Sequence, residues 1–219
     1  MSSPRPQASP EGLRLLLLGA TGAVGREVLA LALADPRVTQ VVAPTRRALP
    51  AQAKLLNPVV DFTPLDAAAP WWQVDAVVCA LGTTIKVAGS QQAFAAVDRD
   101  LVVATARLAR EGGATRLALN SSLGASPKGN FYLRTKAGAE EGVRALGFPS
   151  LTIVRPSLIA AERDAVRPGE VAGLWVARAL GPLVPKRYRP VPAKRIAEAL
   201  LEGALRASPG ERLLESERL

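Results

Sequence analysis

A tyrosine and a lysine four residues apart, Tyr132 and Lys136, follow a pair of serines, Ser121 and Ser122. If one helix carries the first two, this spacing places them on the same helix face. An ammonium beside a phenol favours the phenolate, and such a phenol can give a proton to a carbonyl oxygen or take it back. A serine hydroxyl nearby could bind the same oxygen and orient it. The constellation predicts acid–base chemistry at a carbonyl group.

Three glycines near the start of the chain have the spacing of a phosphate-binding turn. An apolar run over 13–18 leads into Gly19, Gly22 and Gly25. The first glycine permits a tight turn, the second lets a pyrophosphate approach the backbone, and the third allows the next helix to pack closely on the sheet. That helix would direct its free N–H groups at the phosphates. The residues expected at the dinucleotide are Gly19, Thr21, Gly22, Ala23, Val24 and Gly25.

The turn after the second predicted strand indicates which dinucleotide binds. An NAD site usually carries an acidic residue there, which binds the ribose 2′-hydroxyl. This chain has no acidic residue between Pro36 and Val60, and Arg46 and Arg47 occupy the turn. Guanidinium groups are good bidentate partners for a 2′-phosphate. The sequence therefore favours NADP over NAD, the alternative being a pair of solvated loop charges.

Two further segments are expected to contact the cofactor. Asp66, after the third predicted strand, could accept a hydrogen bond from the adenine amino group. The end of the fourth strand, with Ala80, Leu81 and Gly82, would let the dinucleotide lie across the strand ends. Either segment could equally be an ordinary loop.

Strands and helices alternate along the chain, which is the pattern of a parallel sheet with helical crossovers. The predicted strands are 13–18, 39–43, 59–62, 75–80, 116–120 and 151–154. The predicted helices are 23–34, 91–111, 131–146 and 193–206, with a small helix near Trp175. The expected fold class is α/β, a doubly wound parallel sheet of the Rossmann type with helices on both faces and a small C-terminal substrate lobe. In that fold the glycine turn and the tyrosine–lysine pair can meet over one nicotinamide.

The chain is expected to form one domain. Its 219 residues are 48% hydrophobic, which is enough for one large core. Residues 1–11, rich in Ser and Pro, predict a disordered tail. The NAD(P)-binding domain is expected over 12–219, with substrate-covering segments within about 157–192.

Taken together, these motifs resemble the short-chain dehydrogenase/reductases, specifically the small atypical group that includes the Tat-interacting-protein-like oxidoreductases and their bacterial relatives. The matching segments are 19–25, 120–125, 130–140 and 154–158. The classical members also carry a catalytic asparagine on the helix before strand five. The stretch 91–113 has no asparagine, so a proton relay through that position is absent or differently built.

The resemblance implies roles for individual residues. Tyr132 would be the general acid/base and Lys136 its partner, which would also reach the nicotinamide ribose. Ser121 is the favoured orienting hydroxyl because it stands three residues before Gly124, and Ser122 is the alternative. The cofactor-facing turn after strand six would pass beside the nicotinamide with Pro156, Ser157 and Leu158.

The expected function is an NADP-dependent oxidoreductase that transfers hydride between the nicotinamide and a carbonyl or alcohol of a small molecule. The alternative is a non-catalytic NADP(H)-binding redox sensor that acts through a protein partner. A nucleotide-sugar epimerase or dehydratase would share these motifs, but it usually needs a larger C-terminal substrate domain.

Composition excludes several other classes. With no histidine and a single cysteine, Cys79, the usual zinc sites and a disulfide framework cannot be built, so no metal is expected. The net charge of +9 would suit nucleic acid, but the basic residues are dispersed and only 4% of residues are aromatic, so no nucleic-acid partner is expected. No apolar stretch approaches the ~20 residues of a membrane span. We expect a cytoplasmic protein, and a homodimer through the helices after strands four and five is compatible with the sequence.

Overall fold

A seven-stranded parallel sheet forms the centre of the computed structural model, which describes residues 12–160, 185–206 and 208–219. The strands in chain order are β1 (Leu13–Leu18), β2 (Val38–Val42), β3 (Leu55–Leu56), β4 (Ala76–Cys79), β5 (Arg116–Asn120), β6 (Ser150–Arg155), β7 (Ile159–Ala160), β8 (Val191–Pro192) and β9 (Gly210–Glu215). The order across the sheet is β3-β2-β1-β4-β5-β6-β9, and β7 pairs with β8 in a separate ladder. The strand order reverses at β1, which lies between β2 and β4. The predicted doubly wound Rossmann-type α/β fold is confirmed.

Helices cover both faces of this sheet. They are α1 (Ala23–Ala34), α2 (Ile85–Ala88), α3 (Gln91–Ala95), α4 (Val102–Glu111), α5 (Phe131–Arg144) and α6 (Ala193–Leu205). A π-helical segment, Ala96–Leu101, joins α3 to α4, so the chain is continuously helical over 91–111. Short 3₁₀ turns lie at Pro70–Trp72, Lys186–Tyr188 and Ser216–Arg218.

The leucines of β1 explain why this strand is central. Leu15 and Leu17 pack in the core beneath α1 and α6, whereas Leu16 and Leu18 pack on the opposite face with α4 and α5. All four are fully buried. A strand covered on both faces has a continuous apolar run rather than alternation, and each buried leucine stabilises the fold by about 1.5–3 kcal/mol.

Helix α5 is fixed at its N-terminus and along one face. The side chain of Asn130 caps it by accepting the N–H of Leu133 at 3.0 Å. Gly142 lies against Val103 of α4 so closely that a Cβ at this glycine would overlap the valine side chain. The cap fixes the start of α5, and the close packing of Gly142 fixes its last turn against α4.

One strand prediction is wrong, and three strands were not predicted. The third strand is Leu55–Leu56 rather than 59–62, because only the bridge between Thr45 and Val59 forms beyond Pro58. The strands not predicted are the two-residue strands β7 and β8 and the edge strand β9, in which Leu214 is the buried hydrophobic residue. It has no clear apolar alternation, so its sequence resembles a loop. The other predicted strands agree with the structure to within one or two residues at either end.

Some expectations fall outside the described residues, namely the disordered tail at 1–11 and the small helix near Trp175. Among the residues that are described, no helix is both long enough and apolar enough to cross a membrane.

Candidate active site

The glycine turn lies where the strand order reverses, between the carboxyl ends of β1 and β4. Gly19 has a φ of +85°, and a Cβ there would lie 2.6 Å from the carbonyl oxygen of Ala80. A Cβ at Gly25 would overlap the carbonyl of Gly19. Two of the three glycines are therefore required by the close approach of β1, β4 and α1. Crevices at such reversals are where open α/β sheets bind ligands.

Gly22 is different because space remains beside it. A Cβ there would meet only the carbonyl oxygen of Gly19, at 3.4 Å. Gly22 is also the N-cap of α1, which has neither a side-chain cap nor an acidic residue in its first turn. Thr21 and Gly22 are exposed, whereas Val24 is buried in the core. Open space beside uncapped N–H groups fits the pyrophosphate of a dinucleotide.

Asn57 builds the turn that carries Arg46 and Arg47. Its Nδ2 donates to Oγ1 of Thr45 at 2.8 Å, and its Oδ1 accepts the N–H of Leu49 at 2.7 Å. Both arginines are exposed, and neither forms an ion pair with a carboxylate of the described residues. Two exposed guanidinium groups beside the carboxyl end of β2 could bind an anionic group.

The two further segments expected to contact the cofactor differ in their position and hydrogen bonds. Asp66 is exposed, and its Oδ1 accepts the N–H of Ala68 at 2.9 Å, as in an Asx turn. After β4, Ala80 donates its N–H to Leu18 at 2.9 Å, which joins this turn to the glycine turn. Leu81 is half-buried and Gly82 is exposed. The segment therefore lies at the crevice, while Asp66 is part of a surface turn.

Tyr132 and Lys136 occupy the N-terminal half of α5 in opposite environments. The Tyr132 side chain is 37% exposed and its ring lies 5.6 Å from the ring of buried Phe94. Lys136 is buried, with Nζ 3.4 Å from the carbonyl oxygen of Asn120 at the end of β5. A phenol open to solvent thus lies one helical turn from an ammonium held at the sheet edge.

A carboxylate that sequence analysis missed faces this lysine. Oδ1 of Asp98, on the π-helical segment, lies 3.3 Å from Nζ of Lys136. Its Oδ2 accepts the N–H of Thr83 at 2.8 Å. Burial raises the pKa of the Asp98 carboxyl, and Lys136 and the Thr83 N–H oppose this rise. Cys79, at the end of β4, has its pKa raised to about 11 by burial, so it remains a neutral thiol.

The two serines after β5 face different surroundings. Ser121 is buried and its hydroxyl donates to Oε1 of Glu140 at 2.6 Å. Glu140 in turn binds Arg155 through bonds of 2.8 and 2.6 Å. Ser122 is half-buried, and within the described part of the chain its hydroxyl makes one long bond of 3.4 Å, to the Leu123 carbonyl. The hydroxyl of Ser121, the serine favoured from sequence, is therefore engaged by Glu140, whereas that of Ser122 is nearly free of partners among the described residues.

The turn after β6 closes this end of the sheet. Pro156 is buried and its carbonyl accepts the N–H of Leu123 at 2.8 Å. The Ser157 hydroxyl donates to the carbonyl oxygen of Arg189, and Leu158 is 68% exposed. This turn therefore lies beside the serines, and its exposed member is Leu158.

Comparison with known proteins agrees with this arrangement. A family described as NAD(P)H-binding matches residues 19–178. The chain belongs to this NAD(P)H-binding family. The match begins at the first glycine of the turn and includes both serines, Tyr132 and Lys136.

Two curated relatives support the family membership. The chain is 40% identical to the protein fmp52, mitochondrial, of Emericella nidulans over 176 residues, which cover 75% of each chain. It is 35% identical to the protein HTATIP2 of Rattus norvegicus over 210 residues, which cover 92% of this chain and 84% of the rat protein. The resemblance to the atypical, Tat-interacting-protein-like reductases is confirmed.

Solved structures match the fold of this family member at low sequence identity. The structure of MoeE5 with UDP-glucose and NAD has a TM-score of 0.70 and 16% identity, and the match covers 93% of this chain and 75% of that chain.

The expectation of a cytoplasmic protein is wrong on the comparison with curated relatives, because the fungal ones are named as mitochondrial proteins.

Four site residues of this family member were missed from sequence, namely Asn57, Asp98, Glu140 and Arg155. A signal existed for Glu140, which continues the helical spacing of Tyr132 and Lys136 by four more residues. A charged residue on a helix usually faces solvent, so its burial was not expected. For Asn57 and Asp98 the sequence carried no comparable signal.

Proposed function

We propose that the protein is an NADP-dependent oxidoreductase that interconverts a carbonyl and an alcohol of a small molecule, with Tyr132 as general acid/base. The observation that carries the proposal is the placement of the accessible Tyr132 phenol one turn from the buried Lys136 ammonium, at the sheet edge that also bears the glycine turn. A bound NADPH would supply the hydride.

The roles of the side chains follow from their surroundings. Tyr132 gives its proton to the substrate oxygen in reduction and takes it back in oxidation. The Lys136 ammonium stabilises the phenolate left behind. Ser122, whose hydroxyl is nearly free, donates to the same oxygen and orients the carbonyl. Leu158, exposed beside these groups, offers apolar surface to a substrate.

The preference for NADP rests on the arginine turn. Arg46 and Arg47 would bind the 2′-phosphate, and the Asn57 bonds hold the turn in shape for them. A hydrogen bond to a charged group contributes about 1.5–3 kcal/mol. Replacing both arginines with alanine is expected to weaken NADPH binding about ten- to hundredfold and to leave NADH binding unchanged. The matched control is Arg107→Ala, which removes an exposed cation from α4.

The catalytic assignment is tested by NADPH oxidation with a panel of aldehydes, ketones and quinones. Tyr132→Phe is expected to abolish turnover of any accepted substrate and to keep NADPH affinity, measured by tryptophan fluorescence. Turnover that survives Tyr132→Phe would overturn the assignment. If wild-type protein binds NADPH and oxidises it with no member of the panel, the result favours the redox-sensor alternative.

A further inference from the structure

Asp98 joins two parts of the site that are far apart in the sequence. Its carboxylate binds the Thr83 N–H of the turn after β4 with one oxygen and faces the Lys136 ammonium of α5 with the other. The Asp98 side chain is 2% exposed and that of Lys136 is 6% exposed. Both charges are therefore removed from solvent.

We propose that Asp98 is a positioning residue of the reaction: it keeps the Lys136 ammonium charged at the end of β5 and fixes the turn after β4 against the cofactor crevice. This inference rests on the proposed function, because Asp98 acts through Lys136 and touches no reacting atom.

Burial of an ammonium group away from water is unfavourable. A buried lysine without a counter-charge gives up its proton more readily than a solvated one. Asp98 is the one carboxylate within ion-pair distance of Lys136 among the residues described. The Asn120 carbonyl, at 3.4 Å, adds a dipole but no charge.

The other titratable groups around Lys136 do not replace Asp98. Cys79 on β4 stays protonated because burial raises its pKa to about 11. Glu140, one turn further along α5, is bound by Arg155 and the Ser121 hydroxyl. Tyr132, one turn back on α5, is the group whose phenolate the Lys136 ammonium would stabilise. The charge balance of Lys136 thus depends on Asp98.

The helix that carries Asp98 departs from regular α-helical geometry around this residue. The π-helical segment Ala96–Leu101 interrupts the regular helix where the carboxylate turns toward α5, and π turns of this kind are frequent at functional sites. This is the helix before β5, on which the classical reductases carry an asparagine. In this protein Asp98, on the same helix, supplies a carboxylate that pairs directly with Lys136.

Tyrosine ionisation tests this role without a substrate. The chain has two tyrosines, so in a Tyr188→Phe background the phenolate absorbance reports Tyr132 alone. Asp98→Asn is expected to move the ionisation of Tyr132 to higher pH by at least about one unit, because an uncharged lysine no longer favours the phenolate. Asp98→Glu should cause a smaller shift than Asp98→Asn, because it keeps a carboxylate near Lys136. The matched control is Asp100→Asn, which removes an exposed carboxylate from the same segment and should move nothing.

Cofactor binding gives a second readout in the same variants. Asp98→Asn should raise the NADPH dissociation constant at least fivefold, because the Thr83 turn loses part of its anchor. An unchanged Tyr132 ionisation, or one shifted to lower pH, would overturn the proposal.

A double variant separates this role from a purely structural one. In a Lys136→Met background no ion pair exists, so Asp98→Asn should no longer move Tyr132 ionisation to higher pH; loss of the carboxylate's own field can only move it to lower pH. A shift to higher pH in that background would overturn the proposal, and this comparison remains measurable if Asp98→Asn alone does not fold. Because none of these measurements needs turnover, their outcome is independent of whether Tyr132→Phe abolishes reduction.

Discussion

The hydroxyl of Ser121 donates a 2.6 Å hydrogen bond to Oε1 of Glu140 inside the protein. The same carboxylate binds Arg155, and Arg155 reaches Glu215 of β9 at 3.2 Å. A serine at the expected catalytic position is thus part of a charged network that ties β5, α5, β6 and β9 together. Among the described residues, the hydroxyl of neighbouring Ser122 makes just its long bond to the Leu123 carbonyl.

The serine pair yields the first prediction. Ser122→Ala should lower kcat about a hundredfold, as expected for a lost donor to a reacting oxygen, and leave the free energy of unfolding unchanged. Ser121→Ala should instead lower the free energy of unfolding by about 1–3 kcal/mol, because Glu140 loses a buried donor. Steady-state kinetics and urea unfolding of both variants measure the contrast. A larger loss of kcat in Ser121→Ala would reverse the assignment.

Glu140 carries the second prediction. Glu140→Gln breaks a buried ion pair with Arg155 and should lower the free energy of unfolding by about 3–5 kcal/mol. Glu141→Gln, at the adjacent exposed position, should change it by less than about 0.5 kcal/mol. Urea unfolding of the two variants measures the difference, and equal effects would contradict the structural role of Glu140.

The glycine turn yields the third prediction. Gly22→Ala should fold normally, since its φ is −76° and its Cβ would make only a 3.4 Å contact. It should nevertheless weaken NADPH binding at least about tenfold, because the new methyl group occupies the approach of the phosphates. Gly25→Ala should lower the melting temperature, since its Cβ would overlap the Gly19 carbonyl. Full NADPH affinity in Gly22→Ala would place the pyrophosphate elsewhere.

The fourth prediction concerns pH and the edge strand β9. Arg144 binds Glu211 at 2.8 and 3.0 Å and lowers the pKa of its carboxyl from the ordinary 4.5. A lowered folded-state pKa stabilises the fold above the unfolded-state value, and this contribution is lost as pH falls through the folded-state value. Glu211→Gln should therefore cost about 0.2–1 kcal/mol at neutral pH, as for an exposed pair, and nothing in strong acid.

Urea unfolding of wild type and Glu211→Gln, measured from neutral pH down to strong acid, tests this pH dependence. Glu217→Gln is the control, because Glu217 is exposed and forms no ion pair among the described residues. A stability difference that persists in strong acid would assign the effect of Glu211→Gln to packing instead of charge.

The sequence predicted the parts of the site that depend on local pattern. The glycine spacing and the Tyr132–Lys136 pair needed only a strand, a turn and a helix face, and the structure has all three. Asp98 could not be predicted, because its partner lies 38 residues away and a charged residue within a helix usually faces water.

The strand errors have a similar cause. Strand β3 comprises only Leu55 and Leu56, which is too short for periodicity to place. Strand β9 carries charged Glu211 and Arg212 directly after its first residue, Gly210, because an edge strand does not need to bury both faces. Its position is set by the ladder with β6 and by the ion pairs of Glu211 and Glu215, which local sequence does not reveal.

The π-helical segment Ala96–Leu101 makes the winding of this helix a determinant of the site geometry. A π turn holds about one residue more than an α-helical turn. If the same residues formed a regular α-helix instead, everything N-terminal to the segment would be rotated by about 100° relative to α4. Phe94 would then turn away from the Tyr132 ring, although no side chain in that contact had been substituted. The stacking surface behind the tyrosine is thus set by helical phase as well as by side-chain identity.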